Sequence, residues 1–574
     1  KSPAELTVFS AVSPDSSLIF NHKENVYDDF FQERLLPNKL SINGPGMAVG
    51  DVNGDGFEDV FIGGPQGIAG SLFLQHPDGK FTPSHQPVIE SDSMYEDQGV
   101  ILFDADGDGD LDLYVASGGN EESIELPELL QDRLYKNDGK GNFSKGLLPF
   151  MQSSTSCVVA CDFDNDGDLD LFVGGRNVPG KYPDNPQSYL LLNEHGTFID
   201  VTDQLCHDII NAGMISSALW TDYNNDGEID LIIVGDWMTP HIYQNKGGKF
   251  FETTAGCGLE NAYGWWTSIN AGDLDNDGDI DYVLGNLGLN SRYKASPETP
   301  IDLYCKDYDD NGSKDHIMTY YQDGKQYPAR FFSAMFTQMP SLNKKYPDYK
   351  DFAVATIKEI FPQKQLDSAT HLKATIFQNC YVENLGNGKF KIHSLPIAAQ
   401  FAPMYGTSVQ DFDGDGNLDI LEIGNFYGPD RETWRYDAGQ GAFLKGNGKG
   451  DFEALPKSKS GFFDVKDARS LVTIQSAKND GMYILAGNNS AQLSVFKKAN
   501  DGKSAFLKVS TKDNYNYAII TLKNGQTRRH EFYYGSGYLS QSSFSIEVSS
   551  EVRSIAFYKG NTLAKTITPS IQSP

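Results

Sequence analysis

The chain has few of the features that mark an enzyme, a membrane protein or a nucleic-acid binder. Its 574 residues contain no apolar run long enough to span a bilayer, so the sequence holds no transmembrane segment. Lys and Arg number 47 against 78 Asp and Glu, and no basic stripe interrupts this excess, which argues against nucleic acid as a partner. Cysteine is sparse. Cys157, Cys161, Cys206, Cys257, Cys305 and Cys380 follow no framework spacing, no CxxC occurs, and no Cys/His cluster has zinc-ligand spacing. Cys157 and Cys161 stand four apart on a predicted strand, too far to bridge, and all six read as small buried hydrophobes. No catalytic constellation is visible either. GSGYLSQSS holds Ser540 but no GxSxG elbow followed by His, and His207, His241, His316 and His371 are isolated. Acid pairs for glycoside chemistry cannot be told from metal ligands in so acidic a chain.

What is present is a nine-residue acidic loop, written seven times. Positions 1, 3 and 5 carry Asp or Asn, position 6 is Gly and position 9 is Asp. The ligand sets are Asp51, Asn53, Asp55 and Asp59; Asp104, Asp106, Asp108 and Asp112; Asp162, Asp164, Asp166 and Asp170; and Asp222, Asn224, Asp226 and Asp230. They continue with Asp273, Asp275, Asp277 and Asp281; Asp307, Asp309, Asn311 and Asp315; and Asp411, Asp413, Asp415 and Asp419. This is the logic of an EF-hand loop with its distal acid moved closer: alternating carboxylates turn inward, Gly takes the sharp turn, position 7 offers a carbonyl, and Asp closes the shell. One such loop is a good turn and little more. Seven in register predict up to seven Ca2+ ions. The loops hold 31 of the 78 acidic residues, so much of the net charge of −31 is metal-site chemistry. Carboxylates held this close repel strongly without a cation, so the ions read as structural staples, with no open coordination position for catalysis. The Asp307 copy is the least regular, with Asn311 at position 5 and Lys314 at position 8. Sites of this kind need roughly 0.1–1 mM calcium in extracellular modules, which places the chain outside the cytosol.

The loops recur at intervals of 53, 58, 60, 51, 34 and 104 residues, mostly in the range of propeller or solenoid repeats. A short strand precedes each loop and an apolar strand such as DVFIGG or DLFVGG follows it. A third strand then ends in an Asn/Gly-rich hairpin with Phe beyond, as in NDGKGNF to Phe143 and NKGGKF to Phe250. Four short strands per unit describe a propeller blade. The fold class is therefore all-β, a seven-bladed β-propeller. The Asp307 loop with a helical stretch at 331–376 reads as an insertion in the fifth blade, which resumes at NCYVENLGNGKF. An eight-bladed ring follows instead if that loop starts a blade of its own. Residues 465–497 mimic a unit without carboxylates, and residues 6–20 resemble a fourth strand, so the N-terminus is expected to complete the last blade and close the ring. Residues 1–498 form the propeller and 499–574 a small β-module; from 501 onward, 9 basic residues face 5 acidic ones.

These motifs resemble the FG-GAP or VCBS repeats of integrin-type propellers. YAIITLKNGQTRRHEFYYGSGYLSQSS is similar to the ASPIC/UnbV module of cartilage acidic protein relatives, although SFSIEVSSEV stands where such tracts run on to an FGLG-like ending. GPGMAVGDVNGDG, LQDRLYKNDGKGNF, GGRNVPGKYP, GWWTSINAGD and GNLGLNSRYK resemble large Bacteroidetes surface proteins. The resemblance implies a seven-bladed ring, calcium in the loops and export to the cell surface. It extends to a role beside an outer-membrane SusC/SusD-like uptake complex. The chain begins at Lys1 rather than Met, as expected where a signal peptide or a longer lipoprotein's N-terminal part has been removed.

The functional expectation is a binding or scaffold module for a protein or glycan at the cell surface. Trp237, Trp265, Trp266 and the run Phe426, Tyr427, Trp434 and Tyr436 are candidates for stacking sugar rings, or else they pack the blades. The alternatives are a polysaccharide lyase or glycoside hydrolase with acids in the channel, and an integrin-like adhesion protein. Fold alone does not choose among them.

Overall fold

Strands with apolar side chains on both faces must be covered on both sides, and the chain meets this by standing its sheets side by side. A computed structural model describes residues 7–12, 18–121, 126–499 and 504–569. Among them, seven antiparallel four-stranded blades follow one another, and blades 1 and 4 are each extended by one further short strand. Blade 1 comprises Met47–Gly50, Asp59–Ile62, Ser71–Gln75 and Phe81–Ser84. Blades 2 to 4 start with Asp97–Phe103, Ser154–Cys161 and Met214–Thr221. Blades 5 to 7 start with Ser268–Gly272, Gly406–Gln410 and Ala468–Gln475. Each first strand adjoins the first strand of the next blade, and that of blade 7 adjoins that of blade 1, so the seven run in a cycle.

The core is divided accordingly, with one apolar cluster between each pair of neighbours. Ile101 faces blade 3 with Val158 and Leu171, while the next residue, Leu102, faces blade 1 with Ala48 and Phe61. Val158 and Val159 split the same way between blades 2 and 4. The seam between blades 7 and 1 is filled by Val472, Leu485, Met47 and Val60. This explains why the second strands read as unbroken apolar runs rather than alternations. Each buried Leu, Ile or Val contributes about 1.5–3 kcal/mol by leaving water.

The N-terminal strand Phe9–Ala11 pairs antiparallel with Phe496–Lys498 and completes blade 7, as expected; residues 6 and 13–17 of that expectation lie outside the described residues. In blade 5, Asp281–Gly285 pairs with Cys380–Asn384 across the insertion. The insertion is not simply helical. Five short helices lie between Phe332 and Asp367, but Thr370–Ala374 is a strand. It joins Ile301–Lys306, Asp315–Gln322 and Lys325–Pro328 in an extra sheet, which carries the Asp307 loop. The helices cap that sheet through a separate core including Tyr308, Ile317, Met335 and Phe361. Blade 5 adjoins blade 6 directly, so this sheet stands outside the cycle of first strands.

The C-terminal residues form two further sheets, one from Ser504–Lys508 and Ser545–Ser549, the other led by Tyr517–Leu522 and Val552–Lys559. Between them, residues 532–545 leave the module and enter the middle of the ring. Ala160 of blade 3 donates its N–H to Tyr534 O at 3.0 Å, and Gly537 donates to Ile269 O of blade 5 at 2.7 Å. Ser217 Oγ of blade 4 donates to Gly537 O. Ser540–Gln541 pairs parallel with Met47–Ala48 of blade 1, and the Gln541 amide clasps both backbone groups of Leu102 in blade 2 at 2.7 and 2.8 Å. Ser543 N–H reaches Thr473 O of blade 7 at 3.0 Å. The segment thus hydrogen-bonds the innermost strands of six blades and serves as an axial plug. Gly535 sits at φ +94° with Val158 O only 2.8 Å from where a Cβ would stand, so the path admits no side chain there.

Candidate metal centres and the axial plug

In blades 1 to 6 the acidic loop joins the first strand to the second, and position 9 is the first residue of that second strand. This places Asp59, Asp112, Asp170, Asp230, Asp281 and Asp419 in the blade interior, none more than 1 % exposed. Each serves two structural ends. In all but Asp230 one oxygen accepts the N–H of position 2 of its own loop, as Asp59 does from Val52 at 3.1 Å and Asp170 from Phe163 at 3.2 Å. The other accepts an N–H from the third strand, from Gln75 at 2.8 Å and Asn193 at 2.8 Å in the same two blades. The loop is then wound by its own carboxylates. Position 1 accepts the N–H of Gly at position 6, at 2.9 Å in Gly56→Asp51 and 3.0 Å in Gly167→Asp162. Position 5 accepts the N–H of position 7, as Asp226 does from Glu228 at 3.0 Å. Position 4 also takes the left-handed conformation, filled by Gly54, Gly107, Asn165, Asn225, Asn276, Asp310 and Gly414, the residue types that tolerate it.

The winding brings the predicted ligands together. Oxygens of Asp104, Asp106 and Asp108 lie within 4.8 Å of one another, as do those of Asp162, Asp164 and Asp170, and of Asp222, Asp226 and Asp230. Asp273, Asp275 and Asp277 converge likewise, and so do Asp307, Asp309 and Asp315. Several of their buried oxygens have no hydrogen-bond partner, including Asp230 Oδ2, Asp273 Oδ1, Asp309 Oδ1 and Asp411 Oδ1. An all-oxygen, multiply charged donor set with orphaned lone pairs fits a hard cation such as calcium. The protein alone leaves these acids uncomfortable. Burial, helped by the neighbouring loop carboxylates, pushes Asp230 up to about 9 and Asp59, Asp170 and Asp281 up to about 8.

Two loops show how a protein cation can lie where metal ligands gather. Lys445 Nζ contacts Asp413 and lies 2.7 Å from Asp415 in blade 6. In blade 4, Arg529 Nη2 from the C-terminal module lies 2.9 Å from Asp222, and the Arg529 backbone N–H donates to Asp273 of blade 5 at 2.9 Å. Arg528 reaches Gly416 O of blade 6 at 2.9 Å, and Lys508 reaches Gly56 O of blade 1 at 3.0 Å. The basic module therefore sits over the acidic loop end of the ring. The irregular Asp307 copy is wound like the rest, with Gly312 N–H on Asp307 at 2.8 Å, but Gln338 Nε2 takes the third-strand position on Asp315, at 2.8 Å.

Sequence reasoning passed over the residue that ties loops of adjacent blades together. The Asn that ends the third strand sends its side-chain N–H to position 2 of the preceding blade: Asn137 to Val52 O, Asn193 to Ala105 O, Asn245 to Phe163 O and Asn384 to Tyr223 O, all at 2.7–2.9 Å. The same amides also reach position 8 of their own loop, as Asn193 does to Leu169 O at 3.1 Å. The signal was present as the first Asn of NDGKGNF, NEHGTF, NKGGKF and NLGNGKF.

The other mouth of the ring is aromatic. Tyr538, at the tip of the plug, packs edge-on to Tyr405 with centroids 4.8 Å apart. Around them Trp237, Trp265 and Phe426 line a cavity of about 40 Å³, room for water rather than a sugar ring. Trp237 Nε1 donates to Tyr182 OH at 2.5 Å and Trp266 Nε1 to Met238 O at 3.0 Å. These tryptophans, with Phe426 and Tyr436, are packing residues. Of the candidates for sugar stacking only Trp434, 89 % exposed, stands free in solvent, with Tyr427 half-buried. The named histidines stay apart: His207 pairs with Asp203, and His371 with Asp302. All six cysteines are free, five of them buried.

Comparison with known proteins agrees with this architecture. Residues 51–115, 116–173 and 222–284 match the FG-GAP-like repeat. Human cartilage acidic protein 1 is 23% identical over 211 residues, covering 36% of this chain and 31% of the relative. The mouse protein is 24% identical over 318 residues, covering 50% of this chain and 47% of the relative. The match thus spans less than half the length of these curated relatives. Among solved structures, YCF48 from Cyanidioschyzon merolae aligns over 80% of this chain and 97% of its own, at 10% identity and a TM-score of 0.37. The chain thus carries FG-GAP-like repeats within a β-propeller and is similar in sequence to cartilage acidic protein 1.

Proposed function

We propose that the protein is an exported, calcium-stabilised propeller that binds or scaffolds a protein or glycan partner at the cell surface. The observation that carries this reading is the convergence of carboxylate oxygens in loop after loop, with several buried oxygens left without a partner. Ions that staple blade turns in this way make a rigid platform, and they do so only where calcium is abundant. A position beside an outer-membrane SusC/SusD-like uptake complex belongs to the same reading.

The C-terminal module covers the loop end and the plug fills the axis, so we assign partner binding to the remaining surface. There Trp434 stands exposed, and Phe331, 56 % exposed, is fixed by its N–H to Glu432 Oε2 at 2.8 Å. Aromatic rings beside Arg292 suit a protein or glycan contact. The plug also bears on the lyase or hydrolase alternative, whose acids were to lie in the channel: that space is taken by residues 532–545.

Metal analysis of the purified chain in millimolar calcium tests the first half, with up to seven loop-bound ions expected and none in the loops as the contrary result. Affinity capture from surface membranes and a glycan array test the second. Binding that is lost on Trp434→Ala or Phe331→Ala supports the assignment, and silence in both assays removes it.

A further inference from the structure

Far from the acidic loops, at the opposite end of the ring, three glutamates from three separate segments meet. Glu24 comes from the stretch before blade 1, Glu96 from the residue preceding the first strand of blade 2, and Glu121 from just beyond that blade's second strand. Each is tethered by one oxygen. Asn489 Nδ2 donates to Glu24 Oε1 at 2.6 Å, Gln66 N–H to Glu96 Oε2 at 2.6 Å, and Asn120 N–H to Glu121 Oε2 at 2.8 Å. The other oxygen of each is buried without any partner: Glu24 Oε2, Glu96 Oε1 and Glu121 Oε1. Glu96 and Glu121 are each 3% exposed. The charges of Glu24 and Glu121 bear on Glu96 more than those of any other side chain. Among the described residues none of the three forms an ion pair, and Arg469, which faces Glu24, is already engaged by Asp467 at 3.0 Å.

Two neutral side chains at this end carry further orphaned oxygens. Gln98, 1% exposed, makes no hydrogen bond with either amide atom, and its Cγ lies beside Gly118. Asn25 holds Gln66 by its Nδ2 at 3.3 Å and leaves a buried Oδ1 unpartnered. Gly119 keeps the space open: a Cβ there would stand 2.4 Å from Glu121 Oε2 and 3.2 Å from Glu96 Cγ. Buried carboxylates that repel each other are expensive unless something positive joins them, and here every one is held so that its free oxygen stays available.

We propose that Glu24, Glu96 and Glu121, with the amide oxygens of Gln98 and Asn25, form a further binding site for a hard divalent cation, calcium by its all-oxygen donors. It is distinct from the nine-residue loops in both sequence and place. Asn489 belongs to blade 7, so an ion here clamps the N-terminal stretch across the seam where the last blade meets the first.

Anomalous diffraction from crystals of the full chain grown with Mn2+ or Ca2+ tests the site, the acidic loops serving as internal control. A peak about 2.0–2.6 Å from Glu96 and Glu121 oxygens is expected. Peaks at the loops with none at the glutamates overturn the proposal. In solution, the isosteric Glu96→Gln/Glu121→Gln variant should carry one calcium fewer per chain by elemental analysis and show a smaller calcium-induced rise in Tm. An unchanged count overturns the proposal as well. Should that variant fail to fold, the wild-type diffraction experiment decides alone.

Discussion

Blades 1 to 6 and blade 7 build the same turn from different residues. In the first six, the connection between the first and second strands is the acidic loop, which in blades 2 to 5 gathers carboxylate oxygens within 4.8 Å of one another and in several blades leaves a buried oxygen without a partner. In blade 7 the equivalent turn is SAKND, and its single aspartate is served from within: Ser476 Oγ donates to Asp480 at 2.5 Å and Lys497 Nζ lies 2.5 Å from it. Both arrangements end in the same four-stranded sheet. The blade fold therefore does not require an ion; the carboxylates do. A lysine on a neighbouring strand neutralises one acid, whereas four acids need a small, doubly charged centre that accepts several oxygens at once.

The largest test of this contrast is removal of the ion. Chelation should lower Tm by at least about 10 °C, because each site with a Kd near a hundredth of the free calcium adds about 2.7 kcal/mol, and several act together. Hydrogen exchange would locate the loss in the turns of blades 1 to 6 and spare 476–480. Protection lost equally in all seven turns would erase the distinction. Next, Asp281→Ala removes a proposed ion ligand and the acceptor for Leu274 and Asn384 N–H, and should cost about 3 kcal/mol by denaturant unfolding. Asp480→Ala, which removes only a partly exposed pair, should cost less than about 1 kcal/mol.

Blade 7 has a liability of its own in acid. Ser490 N–H donates to His22 Nδ1 at 3.1 Å, and burial, with Arg469 nearby, holds His22 down at about 4. A histidine lowered in the folded state binds protons more readily when unfolded. Its contribution is thus complete above about 6.5 and is lost as pH falls from there toward 4. In saturating calcium, His22→Gln should flatten the stability profile over that interval, by about 2 kcal/mol at pH 5 relative to wild type. A profile parallel to wild type would clear His22. Asn193→Ala should cost about 1–2 kcal/mol, since it frees the carbonyls of Ala105 and Leu169 and leaves the loop carboxylates in place. Calcium stoichiometry should not change.

The parts that repeat were readable before the structure, because repetition turns a weak local pattern into a strong one. The acidic loops, the calcium-free unit near 465–497 and the pairing of the N-terminal strand all followed from matching one unit against the next. The parts that occur once were not. Residues 331–376 were expected to be helical, yet Thr370–Ala374 is a strand whose partners, Ile301–Cys305, precede it by some seventy residues. GSGYLSQSS looked like part of a separate module because its meaning lies in contacts with Ala160, Ile269 and Met47, hundreds of residues away. Glu24, Glu96 and Glu121 have no common spacing at all; blade 2 holds the last two, and Glu24 is tied at this end by Asn489 of blade 7.

The plug has one more consequence, for the order of assembly. A ring of sheets presents the inward edge of every first strand to the axis, with backbone groups that would otherwise recruit a stray chain. Here the cork follows all seven blades along the chain. Until residues 532–545 emerge from the ribosome the ring stands open at its hub, and a product cut short before them would keep that hub uncapped. Removing this segment should therefore make the ring sticky.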